Sequence, residues 1–165
     1  MTDSAPSSGA HGLPLAADGN FHIRKIYAKD ISFETPNSPA VFASEWEPDT
    51  DINLRTEAAK ISAEEYEVTL TVTATVKVGE NTAYLAEVQQ GGVFSIVGMT
   101  SLELDVVLGA YCPAVLYPYA REMISDLVIR GGFPSFVLAP VNFDALHAKK
   151  RGDAKANATA AKTAG

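Results

Sequence analysis

The chain predicts an α+β domain, a four-stranded antiparallel sheet with two helices packed on one face. Three observations carry this prediction: a long run of strict apolar/polar alternation near the middle of the chain, weaker alternation before it, and a change to helical spacing after a Gly-Gly pair. A period of two marks a strand with one buried face, whereas apolar residues three to five apart mark a helix. Strands grouped first and helices after them place the helices together on one face of a single sheet.

The first strand is predicted over residues 23–34, where Ile31 and Phe33 share one parity and Asp30, Ser32 and Glu34 the other. Residues 51–61 alternate more weakly through Ile52 and Leu54. The clearest signal is residues 66–78, in which Tyr66, Val68, Leu70, Val72, Ala74, Val76 and Val78 alternate with polar residues throughout. Gly79, Glu80 and Asn81 supply turn chemistry, and residues 82–90 return as the second arm of a hairpin. Gly91-Gly92 reads as the end of that strand. Beyond it, Leu102, Val106 and Val107, then Met123, Ile124, Leu127 and Val128, carry helical spacing. Pro113 and Pro118 are expected to break or offset this region, leaving the firmest helix over residues 119–130 and closing it at Gly131-Gly132. A loop, FPSFVLAPVNF, then leads to a short helix from Asp144.

The chain has 165 residues and is 47% hydrophobic, enough for one core. Residues 1–20 are rich in Ser, Ala, Gly and Pro, and residues 149–165 are mainly Ala, Lys and Thr without a large apolar group. Neither segment can bury enough surface to offset its ordering entropy. Both are expected to be disordered tails, the second free to form a frayed helix, and the domain runs over 21–148. A single cysteine excludes an internal disulfide, and no stretch of about 18 apolar residues is present to span a membrane. The first 20 residues have no Lys or Arg and no continuous apolar run, so a signal peptide is not expected and the cytoplasm is the expected compartment. The formal charge of −7 is uneven: residues 21–148 hold 8 basic and 17 acidic side chains, a net −9, and residues 149–165 a net +4. An acidic domain repels nucleic-acid phosphates and attracts basic partners; the same charge also serves solubility.

No constellation for catalysis stands out. His11, His22 and His147 show no metal-ligand spacing, and Cys112 has no second cysteine or nearby histidine in sequence. Cys112 reads as a small buried side chain; acting as a nucleophile, it would need His22 or His147 brought beside it by folding. Gly91-Gly92 and Gly131-Gly132 belong to no phosphate-binding pattern, and Asp49/Asp51 and Glu64/Glu65 lack the further oxygen ligands a cation needs. The apolar inventory says more. Phe42, Trp46, Tyr117, Tyr119, Phe133, Phe136 and Phe143 fall largely outside strands and clean helices, where they either pack back on the core or line a groove for an apolar partner. So many non-periodic apolar groups also suggest self-association, with the helix faces covered by another copy.

Four blocks, IYAKDISFETPNSPAVF (26–42), AYLAEVQQGGVFSI (83–96), LGAYCPAVLYPYARE (108–122) and GGFPSFVLAPVNFDAL (131–146), resemble the SecB family in order and spacing, over the whole of 21–148. The resemblance implies a homotetramer built as a dimer of dimers, with the long helices between dimers. It implies an ATP-independent chaperone that binds unfolded preproteins and delivers them to SecA for export, with no small cofactor, no nucleic acid and no membrane insertion. It further implies a SecA-docking surface on the acidic sheet face, at the matching positions Asp30, Glu34, Leu85 and Glu87. At about 3.3 Å per residue, Asp30 and Glu34 lie on one face about 13 Å apart. SecA's small zinc-bearing C-terminal tail is basic, which suits such a face. Client grooves in the family match Phe42, Trp46, Ile52, Leu54, Phe133, Phe136, Leu138 and Leu146. SecB-like folds also serve as chaperones dedicated to one partner such as an antitoxin, and the Asp30, Glu34, Leu85 and Glu87 set favours the export role.

Overall fold

The structure, a computed structural model, describes residues 20–163, with side chains through residue 158. Its strands are β1 (Phe21–Glu34), β2 (Pro48–Lys60), β3 (Glu65–Val78) and β4 (Asn81–Ile96), with a 3-10 turn at Ala40–Ala43 before β2. They form one four-stranded sheet in the order β1-β4-β3-β2, every pairing antiparallel. The N-terminal tail expected over 1–20 lies outside the described residues up to residue 19.

The alternation in β3 does what its period requires. Val68, Leu70, Val72, Ala74 and Val76 are buried on one face and are joined there by Tyr84, Ala86 and Val88 of β4. A single helical column covers them: Cys112, Leu116, Ala120, Ile124 and Val128, four residues apart, are all 0% exposed. Each fully buried aliphatic or aromatic side chain contributes about 1.5–3 kcal/mol relative to exposure, so this face is where the domain gains most of its stability.

Gly91-Gly92 does not end β4, which runs on to Ile96. The pair sits where other parts of the molecule come too close for a side chain. A Cβ on Gly91 would lie 2.6 Å from the Tyr27 ring of the facing strand, and one on Gly92 would lie 2.7 Å from the Phe94 ring and 2.9 Å from Leu116. Glycine here marks close approach within a strand rather than a break.

The prolines do not break the helical region either. Helix α1 (Ser101–Val106), a π-helical turn at Val107–Tyr111 and helix α2 (Cys112–Arg130) follow one another without interruption. Thr100 and Glu103 start the run with a capping box: the Thr100 hydroxyl accepts from the Glu103 N–H, and the Glu103 carboxylate accepts from the Thr100 N–H at 2.8 Å. Pro113 falls at the start of α2, directly after the π turn, where a missing N–H is tolerated. Pro118 leaves the Ala114 carbonyl unpaired, but both residues are exposed and water can take it. Tyr117 and Tyr119 are therefore helical. The run closes as expected at Gly131 and Gly132, the latter at φ +84°.

An extended strap over residues 133–142 follows, held to α2 because Ser125 Oγ donates to the Phe136 carbonyl at 2.8 Å and Tyr117 donates to that of Ala139. Helix α3 (Phe143–Thr163) begins where Asn142 Oδ1 accepts from the Ala145 N–H at 3.0 Å. The sequence reading ended the domain near Lys149; α3 continues to Thr163 because alanine and lysine favour helix even without an apolar face to bury.

Candidate partner-binding surfaces

The outer face of the sheet is built by register. Asp30 pairs with Gln89, Ser32 with Glu87 and Glu34 with Leu85, and directly opposed residues point the same way. Asp30, Glu34, Leu85 and Glu87 therefore share one face. Bulges in β1 lie between Ile23 and Lys25 and between Ala28 and Asp30, so the stretch from Asp30 to Glu34 stays in phase. Asp30 and Glu34, on the sheet edge, are exposed; Leu85 and Glu87, on an inner strand, are half-buried. Thr73 of β3 donates to Glu87 Oε2 at 2.9 Å and fixes that carboxylate. The same face takes in Asp51 of β2, opposite Thr75 and hence in line with Leu85. Asp51 and Thr73 both stand on the polar parity of their strands, a signal present in the sequence and not used for this face.

A second polar cluster on this face joins three side chains from two strands, β1 and β3. The Tyr27 hydroxyl donates to Glu67 Oε1, and Lys29 Nζ, from the second β1 bulge, donates to the same oxygen at 2.8 Å. The two donors, Lys29 foremost, hold the Glu67 carboxyl below its usual range. Burial, with the Glu67 carboxylate beside it, pushes the Tyr27 phenol up to about 12. Sequence reading missed this cluster because the bulge that turns Lys29 toward Glu67 has no local signature.

The expected groove residues divide into two places. At one end of the molecule, Phe133 is the hub of an aromatic cluster, with ring centroids 5.1 Å from Phe42, 5.7 Å from Trp46 and 4.9 Å from Tyr84. Phe133 and Leu138 are buried and belong to the core; Phe42 is 51% exposed and Trp46 and Phe136 are half-buried. An exposed ring stacked on a buried hub forms a ledge that an apolar side chain can cover. Elsewhere, Leu54 of β2 and Leu146 of α3 line one cleft of about 340 Å³, together with Thr56, Ala58, Leu108 and Gly109. Ile52 is two residues from Leu54 on the same face of β2 and is partly exposed.

The cleft's width is set by a side-chain lock that sequence reading did not foresee. The His147 ring lies against Gly109 in the π turn, where a Cβ would come within 2.2 Å of Nδ1. His147 Nε2 bonds Asp105 Oδ2 at 2.9 Å, and Arg151 Nε approaches the same oxygen at 3.4 Å. Residue types 42 positions apart in sequence give no hint of this meeting. His147 is thus engaged with α1. Cys112 is sealed in the core, where burial pushes its thiol up and keeps it protonated, so it offers no thiolate nucleophile.

An acidic sheet face, an aromatic ledge and an aliphatic cleft are open surfaces of the class found in protein-binding modules. Residues 15–154 match the family described as Preprotein translocase subunit SecB. Over 129 residues the chain is 54% identical to Protein-export protein SecB of Marinobacter nauticus, covering 78% of each chain. The chain belongs to the SecB family. Among solved structures it is similar to a Mycobacterium tuberculosis SecB-like chaperone in complex with a ChAD peptide from an antitoxin, with a TM-score of 0.63 at 18% identity, covering 74% of this chain and 91% of that one. At that identity the likeness concerns the fold.

Proposed function

We propose that this chain is an ATP-independent chaperone of protein export, which acts in the cytoplasm, holds unfolded preproteins competent for translocation and delivers them to SecA. The observation that carries the reading is the shared outer face of Asp30, Glu34, Leu85 and Glu87, in a chain of the SecB family. SecA, including its basic zinc-bearing C-terminal tail, docks on this face by charge complementarity, with Leu85 as the apolar contact among the acids. Client segments lie across the aromatic ledge of Phe42, Trp46 and Phe136 above Phe133 and Leu138, and along the cleft of Ile52, Leu54 and Leu146. Several shallow sites on one long client add up to tight holding without strict sequence demands.

The working form is a homotetramer, a dimer of dimers with the α1/α2 runs between dimers. The outward face of α2 supports this: Tyr119, Glu122, Asp126 and Ile129 follow helical spacing and are exposed, with Tyr119 at 50% and Ile129 at 56%. Large apolar groups on a helix face are commonly covered by a partner.

The test follows refolding of a slow-folding preprotein with and without the protein, and co-elution of SecA with the wild type and with the double variant Asp30→Ala/Glu87→Ala. Arrested refolding by both proteins, with SecA lost only from the variant, is the expected result. Arrest with no SecA binding by the wild type makes the chain a chaperone dedicated to another partner, and absence of arrest across several clients rejects the chaperone reading.

A further inference from the structure

Two carboxylates on the outer face of the sheet are held in opposite ways. Glu67 is held by a cation, because Lys29 Nζ donates to it at 2.8 Å and balances its charge. Glu87 is held by a neutral group, the Thr73 hydroxyl at 2.9 Å, and makes no ion pair among the described residues. A hydroxyl donor orients a carboxylate and leaves its charge intact. The register sets this bond: Thr73 of β3 stands directly opposite Glu87 of β4, and both are half-buried. On its other side Glu87 faces Ser32 of β1, between Asp30 and Glu34. Because β4 lies between β1 and β3, the bond draws the Glu87 carboxylate away from those two acids. Neighbouring like charges on one sheet face repel, and the bond holds this one at a distance.

We infer that Thr73 is a positioning residue of the docking face: its hydroxyl presets the Glu87 carboxylate, still charged and clear of the β1 acids, for a cationic group of the docking partner. The inference rests on the SecA-docking reading above and adds how one of the charges of that site is set. A free glutamate has many rotamers, and a partner that engages it must bear the loss of that freedom at the moment of binding. With Thr73 in place, folding has already borne the loss. Removal of the hydroxyl leaves the acid present but unplaced, so Thr73 acts through Glu87 without touching the partner. The contrast with Glu67 sharpens the assignment. Both carboxylates are tied to a neighbouring strand, but the one whose tie is neutral keeps a charge to offer.

Titration calorimetry of SecA against the full chain tests this with Thr73→Val, Thr73→Ser, Glu87→Ala and the double variant Thr73→Val/Glu87→Ala. Valine keeps the β-branched shape that suits a strand and removes only the donor. Thr73→Val is expected to bind SecA about two- to tenfold more weakly, the range for ordering one long side chain on binding. Thr73→Ser, which keeps the hydroxyl, should bind as the wild type does. The double variant should bind no more weakly than Glu87→Ala alone, because without the carboxylate there is nothing left to position. Wild-type affinity in Thr73→Val overturns the inference. So does a loss that serine fails to restore, or one of equal size in the Glu87→Ala background, since either gives Thr73 a role apart from Glu87. The wild type separates this inference from the reading beneath it: SecA binding that ignores Thr73→Val defeats the positioning role alone, while no SecA binding at all defeats both.

Discussion

At the scale of single residues, the side chains that matter most are those whose partners stand far away in sequence. Tyr27, Lys29 and Glu67 meet on one oxygen, and the pair of donors makes the Glu67 carboxylate the anchor between an edge strand and an inner one. Folding raises the Tyr27 phenol from near 10 to about 12, so its contribution is complete below about pH 10 and is lost as pH rises through 12. Glu67 is lowered, so its contribution is present above the ordinary carboxylate range and lost on acidification. Tyr27→Phe is expected to destabilise the protein by about 1 kcal/mol near neutral pH, the net worth of one hydrogen bond. Urea unfolding at a series of pH values checks this: the gap between wild type and variant should close between pH 10 and 12, and a constant gap would show that the hydroxyl's bond to Glu67 is not what stabilises.

At the scale of elements, the π turn at Val107–Tyr111 decides how α3 sits. It presents Gly109 to the His147 ring, and the ring's other nitrogen reaches Asp105 one turn earlier. Gly109→Ala drives a Cβ into the imidazole and is expected to cost about 1–3 kcal/mol, as overpacking does, while releasing α3 from the helix. His147→Ala removes the clash, so the double variant Gly109→Ala/His147→Ala should regain most of the loss seen in Gly109→Ala alone. Thermal unfolding of the four proteins measures the coupling, and tryptic cleavage at Lys149–Arg151 reports whether α3 has come away. Additive effects of the two substitutions would mean that Gly109 is needed for the helix itself and not for the contact.

At the scale of the whole molecule, the two faces of the sheet differ. One is closed by the helical column from Cys112 to Val128 and carries the stability; the other is left polar and acidic, and is the face proposed for docking. The long helical run is sandwiched by the sheet on one side only, and its far side shows Tyr119 and Ile129. Tyr119→Asp places a charge on that face without touching the core; on the proposed dimer of dimers it is expected to lower the mass from tetramer to dimer in light scattering after gel filtration, with circular dichroism unchanged. An unchanged mass would place the subunit contacts elsewhere.

Much of this was legible in the sequence. The parity of Val68 to Val76 declared the buried face of β3, and the parity of Asp30 and Glu34 put them on the other, because alternation follows from the geometry of an extended chain and needs no partner to be read. The grouping of strands before helices was enough to name the α+β class. The breaks were harder. Gly91-Gly92 and the two prolines carry the local signals of chain ends, yet each is accommodated inside an element: the glycines by the Tyr27 and Phe94 rings beside them, Pro113 by the π turn before it and Pro118 by an exposed carbonyl. Which apolar residues line a groove was undecidable for the same reason, since Phe133 and Leu138 differ from Phe42 and Leu54 only in what folds over them. The sequence alone determined the fold class, the strand pattern and the acidic face, all set by local period and charge. Only the tertiary structure decided the continuity of the helix, the position of α3 and the separation of ledge from cleft, because each depends on contacts between residues that the chain brings together only by folding.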